Sequence, residues 1–282
     1  MVTFLFWNLN QKSLEGRVAR LTEKYEVDII ILAECPISPQ TMIAALQRQT
    51  GRRFSLPFST CEKITIYTRF PKKFLRARRD GERFTIRRMA LPGLDEILIV
   101  ATHFPSKLYW SRESQVLECV KLSEEIRSAE QKAGHSRTVL VGDLNMNPFE
   151  DGVVGANGLH GVMTRQIAAK QTRIVQDREY PFFYNPMWGR LGDETEGPAG
   201  TYYDQRSEHV SFFWNMFDQV LLRPELLPFF RNEELKILTE DGDESLVNQT
   251  GLPDDSIASD HLPILFRLNL RLRGGDYGNE SA

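Results

Sequence analysis

Short apolar runs recur along the chain, and each has the length and the share of β-branched residues typical of buried strands. They cover residues 2–7, 28–33, 64–67, 97–101, 138–141 and 216–222. A further run over residues 264–272 alternates apolar and polar side chains, which predicts a half-buried strand. A chain with this many buried strands has to stack them in sheets whose faces are covered by other layers.

Two amphipathic segments predict helices that flank these strands. The first carries an apolar stripe at Leu14, Val18, Leu21 and Tyr25. The second covers residues 112–132 and is expected to turn inward Val116, Cys119, Val120 and Ile126. Residues 72–101 between them have the pattern of a meander, and Asp80-Gly81 marks a hairpin turn. Helices at both ends and hairpins in the middle predict an α/β fold with a mixed sheet and outer helices.

The composition is that of one folded domain. The chain has 282 residues, of which 41% are hydrophobic and 26% charged, so disordered, collagen-like and fibrous classes are excluded. Without repeats or an interior linker, we expect one domain over residues 1–272 and a flexible polar tail over 273–282. Three cysteines without a C-x-x-C pair exclude a disulfide scaffold and a cysteine-rich zinc site. Lacking a signal sequence or membrane span, the protein is expected to be cytoplasmic, with no membrane partner.

Most of the predicted strands begin or end at a carboxylate, amide or imidazole. These residues are Asn8, Glu34, His103, Asp143, Asn145, Asp218, Asp260 and His261. At any one strand, a polar residue that meets water at the sheet edge explains the pattern. Because ligands of open α/β sheets bind at strand ends, six such sites together indicate one pocket. Acid and amide oxygens without a thiolate cluster favour a hard cation such as Mg²⁺ or Mn²⁺.

Other familiar sites fail on spacing. Residues 143–147 begin like an EF-hand loop, but Pro148 stands where that loop needs glycine. The sequence has neither a G-x-S-x-G elbow nor a G-x-x-x-x-G-K-[ST] loop. Cys35, beside Glu34, is more typical of a buried structural thiol than of a nucleophile.

Six motifs in order give a specific resemblance. They are Phe6-Trp7-Asn8-Leu9-Asn10, residues 28–34, Thr102-His103, Gly142-Asp143-Leu144-Asn145, Phe217-Asp218 and Ser259-Asp260-His261. The order resembles the endonuclease/exonuclease/phosphatase superfamily, which includes pancreatic deoxyribonuclease, exonuclease III, apurinic endonucleases, neutral sphingomyelinases and inositol polyphosphate phosphatases. It implies a four-layer α/β sandwich, with two mixed, mostly antiparallel sheets face to face and helices outside. It also implies metal-dependent hydrolysis of phosphoesters.

The resemblance also implies a metal site. Glu34 would be the main ligand of Mg²⁺ or Mn²⁺, and Asn8 would lie close to the ion. Asp260 would add to the metal or phosphate network. A divalent ion would polarise the phosphoryl oxygen and stabilise the leaving oxygen.

The catalytic roles follow from the same resemblance. His261 would be the principal imidazole, oriented by Asp218, and Asn145 would hold the phosphate. Asp143 would position or deprotonate the attacking water, although the sequence leaves open whether Asp143 or His261 is the base. His103 matches the second histidine of the pancreatic deoxyribonuclease branch, which points away from a dedicated abasic-site enzyme.

Local charge bears on the substrate. The formal net charge of −3 argues against a dedicated nucleic-acid binder, yet Lys and Arg far outnumber Asp and Glu between residues 69 and 88. That basic stretch predicts a ribbon along a phosphate backbone, although arginines paired with nearby acids would explain it too. The residues expected to contact substrate are Asn10, Arg79, Arg87 and Arg88. A second candidate rim, which core packing explains equally well, comprises Trp188, Arg190, Tyr202, Tyr203 and Arg206.

The leading hypothesis is therefore a Mg²⁺-dependent phosphodiesterase that acts as a nuclease, with DNA favoured over RNA. One alternative is a small-molecule or lipid phosphoesterase, of the inositol-phosphate or sphingomyelinase kind. The continuation of residues 142–145 as Met146-Asn147-Pro148-Phe149 departs from inositol phosphatases and disfavours that substrate. The second alternative is a catalytically silent module that keeps the fold and binds a partner.

Overall fold

The computed structural model describes residues 1–194, 196–207 and 209–270. Its helices are α1 (Glu15–Lys24), α2 (Pro39–Thr50), α3 (Arg112–Ala133), α4 (Asp151–Val154) and α5 (Arg165–Ala168). Its strands are β1 (Val2–Asn8), β2 (Ile29–Ala33), β3 (Ile64–Thr68), β4 (Leu75–Asp80), β5 (Phe84–Met89), β6 (Ile97–His103), β7 (Thr138–Asp143), β8 (Gly161–Val162), β9 (Thr172–Val175), β10 (Arg178–Pro181), β11 (Phe183–Tyr184), β12 (Tyr202–Tyr203), β13 (Trp214–Asn215), β14 (Asp218–Leu222), β15 (Lys236–Ile237) and β16 (Ile264–Leu268).

Two large sheets contain most of these strands. The first sheet has the order β15-β16-β1-β2-β3, and the second has the order β4-β5-β6-β7-β14-β11-β8. The pairs β1–β2, β6–β7 and β8–β11 are parallel, whereas the other neighbours are antiparallel. The expectation of two mixed, mostly antiparallel sheets is therefore confirmed.

The two sheets pack face to face through one large apolar cluster. Phe4 and Phe6 of β1 belong to it together with Ile99 of β6 and Val141 of β7. Phe4 also stacks on Phe266 of β16, with ring centroids 4.7 Å apart. Because side chains alternate along a strand, the residues between these positions face away from the second sheet.

Helices cover the outer faces of both sheets. On the first sheet, Leu5 and Trp7 of β1 share a buried cluster with residues of α1 and α2, including Leu21 and Leu46. On the second sheet, residues of β6 and β7 share a cluster with α3, including Ile126. The layers therefore run helix, sheet, sheet, helix, as the resemblance implied.

Helix α2 was not predicted, although its ends carry recognisable signals. Ser38 accepts a hydrogen bond from the N–H of Thr41 at 3.1 Å, Pro39 occupies the first turn, and Gly51 ends the helix with φ 65°. Only three of its residues are buried, namely Met42, Ala45 and Leu46. So sparse an apolar stripe leaves the caps as the main sequence signal.

Two details of the predicted elements differ in the structure. Cys119 and Ile126 of α3 are buried as predicted, but Val116 and Val120 are only half-buried, and Gln115 is buried although it was not predicted to be. Strand β16 ends at Leu268 and is buried on both faces over its first three residues, since a sheet covers one face and helices the other. The last residues of the predicted strand and the proposed tail lie outside the described residues. Among the described helices, none has both the length and the apolar character needed to cross a membrane.

Gly142 gives a stability prediction, because it lies in β7 directly beside Thr102 of β6. A Cβ at position 142 would lie 2.0 Å from the backbone oxygen of Thr102, inside a buried strand pair that has no room to yield. We expect Gly142→Ala to lower the free energy of unfolding by about 3 kcal/mol in chemical denaturation. Gly189→Ala is the control, because its added Cβ meets no atom within 4 Å. Equal losses in the two variants would contradict the close approach.

Candidate active site

One edge of the stacked sheets collects the polar strand ends. Strands β1, β2, β6 and β7 end there, and the antiparallel strands β14 and β16 begin there. The registers place His103 and Asp218 on either side of Asp143. This edge opens into a cleft of about 500 Å³. The predicted site residues that line the cleft are Asn8, Asn10, Glu34, His103, Asp143, Asn145, Asp260 and His261.

Asp218 is fully buried and lies directly behind His261. His261 Nδ1 is 2.8 Å from Asp218 Oδ2, and His261 Nε2 lies 4.0 Å from Asp143 Oδ2. Two further bonds fix the pair, because Trp7 Nε1 donates to the His261 carbonyl and the Asp218 N–H donates to Thr201 Oγ1. The imidazole is therefore held at Nδ1 and presents Nε2 toward the cleft.

Asn8 and Asp143 connect the two sheets at the floor of the cleft. Asn8 Nδ2 donates to Asp143 Oδ2 at 2.9 Å, and the N–H of Asn145 donates to Asp143 Oδ1 at 2.8 Å. Asn8 Oδ1 accepts the N–H of Asn10 at 3.0 Å. Both oxygens of a buried carboxylate are thus hydrogen-bonded, which fixes its plane.

Glu34 and His103 form a second link between the sheets. Glu34 Oε1 lies 3.2 Å from His103 Nε2, which is also 3.7 Å from Asp143 Oδ2. The hydrogen bond from His103 lowers the pKa of Glu34 to about 2, against the opposing effect of partial burial. Buried His103 Nδ1 finds no hydrogen-bond partner within the described part of the chain. Glu34 is therefore a carboxylate that stays ionised at every physiological pH.

These contacts share a geometry that we call the inter-sheet seam. Each joins a residue at an end of a first-sheet strand to one at an end of a second-sheet strand. The three pairs are Asn8 with Asp143, Glu34 with His103, and His261 with Asp218. The seam brings together the sequence motifs that are far apart along the chain.

The backbone turns sharply at the seam. Asn10, Glu34 and Asn145 all have positive φ, at 47°, 47° and 49°, a region that non-glycine residues seldom occupy. Such strain persists where the surroundings fix it, and it concentrates at functional sites. Ser259, to which the sequence analysis gave no role, joins the end of β1 to the segment before β16, because its hydroxyl donates to the Asn8 carbonyl and accepts the His261 N–H.

The rim of the cleft is cationic and aromatic. Its side chains include Lys63, Arg83, Lys107, Tyr109, Trp110, Tyr202, Arg206 and Phe217. The Tyr202 ring stacks on Phe217 at 5.2 Å and lies 4.8 Å from the His261 ring. Lys107 pairs with Glu150 and places its Nζ 5.6 Å from the Phe217 ring centroid. Tyr202 and Arg206 belong to the rim expected from the sequence, whereas Lys63, Lys107, Tyr109 and Trp110 were missed.

Three arginines expected to contact substrate lie away from this cleft. Arg87 is only 2% exposed and bonds to Asp80 and to the Phe58 carbonyl. Arg88 pairs with Glu96, and Arg79 pairs with Glu125 at 2.9 Å. All three therefore lie outside the cleft lining, and each pairs with an acid of the protein itself.

The other expected rim residues also have structural roles. Arg190 donates to the carbonyls of Asn232 and Leu235, and Trp188 packs near Phe149 with ring centroids 6.2 Å apart. Tyr203 packs against Trp214. Outside the cleft lining, half-buried Cys35 has a pKa raised by burial, which suits a structural thiol.

A model of the Endonuclease/Exonuclease/phosphatase family matches residues 5–261, from β1 through the last residue of the seam. The chain belongs to this family. Curated protein sequences give no match. The family assignment confirms the resemblance drawn from the six motifs.

Solved structures with a similar fold include nucleases. The AP endonuclease from Archaeoglobus fulgidus is 16% identical, with a TM-score of 0.54 over 95% of this chain and 100% of that one. The endonuclease domain of TRAS1, a telomere-specific non-LTR retrotransposon, is 14% identical, with a TM-score of 0.53 over 95% and 98%. D. rerio TDP2 complexed with single-strand DNA product is 14% identical, with a TM-score of 0.53 over 95% of this chain and 98% of that one. At these identities the likeness shows the fold.

The seam of this family member offers two sets of groups for a metal ion. Asp143, Asp218 and His261 each present a ligand atom, all within 4.8 Å of one another. However, Asp218 and His261 are already hydrogen-bonded to each other. Glu34 offers a carboxylate that stays ionised, and Asn8 and Asp260 add oxygens to the same cleft. This all-oxygen set fits a hard divalent cation.

The charge of His261 follows from its neighbours. Burial alone lowers the pKa of the ring, but the charge and hydrogen bond of Asp218, with Asp143 and Asp260 nearby, raise it to about 10. The folded protein therefore holds this proton more tightly than the unfolded chain, whose histidine pKa is about 6.5. Its contribution to stability is complete below pH 6.5 and is lost as the pH rises through 10.

We expect the His261 ring of the metal-free protein to titrate near pH 10 in NMR spectra. Asp218→Asn should move the midpoint down toward about 6.5, because the largest favourable charge is removed. Asp177→Asn is the matched control, since Asp177 is exposed in the turn between β9 and β10. A midpoint that stays near 10 in Asp218→Asn would mean that another group holds the proton.

Proposed function

We propose that this chain is a divalent-metal-dependent phosphodiesterase that hydrolyses nucleic acid, with DNA favoured over RNA. The observation that carries the proposal is one cleft in which a carboxylate-oriented imidazole and an ionised glutamate lie beneath a cationic and aromatic rim. An AP endonuclease and a protein solved with a single-strand DNA product share the fold and support a nucleic-acid substrate.

The metal that suits the site is Mg²⁺ or Mn²⁺. Glu34, Asn8 and Asp260 would hold it, because they present oxygens in the cleft and no thiolate competes among the residues that line it. When bound, the ion supplies positive charge for the phosphoryl and leaving oxygens. Glu34 needs no proton loss to serve as a ligand, since its pKa is about 2.

His261 and Asp143 divide the proton chemistry. His261 presents a protonated Nε2 to the cleft, where it donates to a phosphate oxygen, and Asp218 keeps the other ring proton on Nδ1. Asp143 lies at the opposite end of the ring from Asp218, with its Oδ2 4.0 Å from His261 Nε2, and Asn8 and Asn145 fix the plane of its carboxylate. Because His261 already carries a proton, Asp143 is the group that orients the attacking water and accepts its proton.

Two other residues support this arrangement. Asn145 Nδ2 uses one hydrogen on the Phe104 carbonyl, which leaves the second for a phosphate oxygen. His103 lies between Glu34 and Asp143 and keeps the two carboxylates apart. Asn10 lines the cleft beside Asn8 and supplies a further amide for the substrate.

We expect Mg²⁺ or Mn²⁺ to support cleavage of oligonucleotides and EDTA to abolish it. Asp143→Asn and His261→Ala should each lower kcat by about 10²- to 10⁴-fold, because both residues are proposed to act on protons in the transition state. Asp177→Asn should retain wild-type activity, since that carboxylate is exposed outside the cleft. The assay compares single- and double-stranded DNA and RNA with inositol phosphates. Metal-dependent release of phosphate from inositol phosphates alone would overturn the nucleic-acid assignment.

Lys63 is the cation best placed to contact the substrate backbone. It is exposed at the cleft and has no ion-pair partner within 4.0 Å among the described residues, whereas Lys107 and Arg206 pair with Glu150 and Asp204. The loop that carries Lys63 is held in place by the β4–β5 hairpin. Asp80 accepts hydrogen bonds from Ser59 and Thr60, and buried Arg87 donates to the Phe58 carbonyl.

We expect Lys63→Ala to raise KM for an oligonucleotide and leave kcat unchanged, because it removes a phosphate contact remote from the chemistry. The slope of log affinity against log salt concentration should fall by about 1. Lys170→Ala removes an exposed lysine outside the cleft and serves as the control. An unchanged salt slope in Lys63→Ala would remove Lys63 from the substrate path.

A further inference from the structure

The loop between β6 and α3 presents large apolar side chains at the rim of the cleft. Leu108 is 64% exposed and Tyr109 is 85% exposed, and Trp110 beside them also lines the cleft. Adjacent bulky side chains exposed at the edge of a cleft are typical of a binding surface. Neither the metal site nor the proton chemistry uses them.

This loop is anchored to the floor of the active site. The N–H groups of Tyr109 and Trp110 both donate to the Ser106 carbonyl, at 3.0 and 3.2 Å, which closes a tight turn. Gln115 of α3 is fully buried and donates to the carbonyls of Pro105 and Asn145. One side chain therefore holds both the loop and the residue proposed to bind the phosphate, so their spacing is fixed.

The chemistry of the loop pairs aromatic faces with a cation. The Arg83 guanidinium lies 5.7 Å from the Trp110 ring centroid. The Arg83 carbonyl accepts the N–H of His103 at 2.9 Å, so this arginine is joined directly to the seam. Aromatic faces stack on bases, and a nearby cation suits the phosphate between them.

We propose that Tyr109 and Trp110 form a stacking ledge for an unpaired nucleobase next to the scissile phosphate, so that single-stranded or frayed nucleic acid is the preferred substrate. The proposal rests on the proposed function and names its substrate class. A base inside an intact duplex has both faces covered by its neighbours and offers nothing to the ledge, whereas an unpaired base does. A lipid surface fits less well, because Trp110 and its arginine line the cleft rather than project from it.

The test is a binding measurement in EDTA, which separates recognition from cleavage. The probe is a single-stranded DNA oligonucleotide that carries 2-aminopurine, whose fluorescence is quenched when it stacks on an aromatic ring. We expect quenching with the wild-type protein and roughly tenfold weaker binding with Tyr109→Ala. Tyr109→Phe keeps the ring and should bind like wild type. Ile174→Ala, which removes a 72% exposed side chain outside the cleft, should bind like wild type as well.

An abasic oligonucleotide of the same length provides the second arm. Wild type and Tyr109→Ala should bind it equally, because it offers no base to stack. A duplex closed by a hairpin loop of abasic sites at both ends should also bind the two proteins equally, because every base in it is paired. Equal loss of affinity for abasic and base-containing strands would overturn the ledge. So would binding to phosphatidylserine-containing vesicles that Tyr109→Ala abolishes, because the loop would then bind lipid.

The two proposals fail in different ways. Metal-dependent cleavage of oligonucleotides without 2-aminopurine quenching overturns the ledge and leaves the nuclease assignment intact. Absence of cleavage on every nucleic acid overturns the nuclease assignment. A quench that depends on Tyr109 would in that case still support base stacking by the loop. Trp110→Ala is checked by thermal unfolding before it is used, because that ring is partly buried against Arg83.

Discussion

The hydrogen bond from Asn8 Nδ2 to Asp143 Oδ2 joins the two sheets where their apolar contact ends. Over most of the interface, phenylalanines and branched aliphatic residues fill the space between the sheets. At the edge the chain places polar groups instead, and a polar group that loses water has to find a partner. Each partner comes from the opposite sheet, which gives the three pairs of the inter-sheet seam. The geometry of the active site is therefore set by how the two sheets stack. The apolar core fixes that stacking and so positions the polar residues at the sheet edge without contacting the substrate.

The seam carries more carboxylates than positively charged side chains. Glu34, Asp143, Asp218 and Asp260 face two histidines, and the pKa values of Glu34 and His261 move in the directions that keep opposite charges together. Removing one member of such a pair leaves a buried charge without its partner, which costs far more than the pair contributes. The excess of carboxylates also repels a phosphodiester. A divalent cation held by these acids would weaken that repulsion at the scissile phosphate.

The sequence was sufficient for the long strands of the two sheets and for the residues of the seam, because strand ends are local features and the sheet edge brings them together. It was insufficient wherever a contact made in the folded chain decides the role of a residue. Arg87 lies in a basic stretch, yet it is buried against Asp80 of the neighbouring strand, and the count of charges does not tell which arginine is paired with an acid. Lys63 and Tyr109 were missed for the opposite reason. Their loops carry no motif, and tertiary hydrogen bonds to other elements place them at the cleft.

The distribution of charge also limits how the protein can hold a polyanion. The net charge is −3, and Arg79, Arg87 and Arg88 of the β4–β5 hairpin each pair with an acid of the protein itself. A small number of rim cations remain to face the substrate, and some of these are paired as well. Affinity from counterion release grows with the number of phosphates neutralised, so the affinity of this surface for a nucleic acid would be weak and sensitive to salt. Contacts to bases would then contribute a larger share of the discrimination between substrates. A rim in which the Tyr202 ring lies beside His261 would suit such base contacts, because aromatic faces are open to strands whose bases are already exposed.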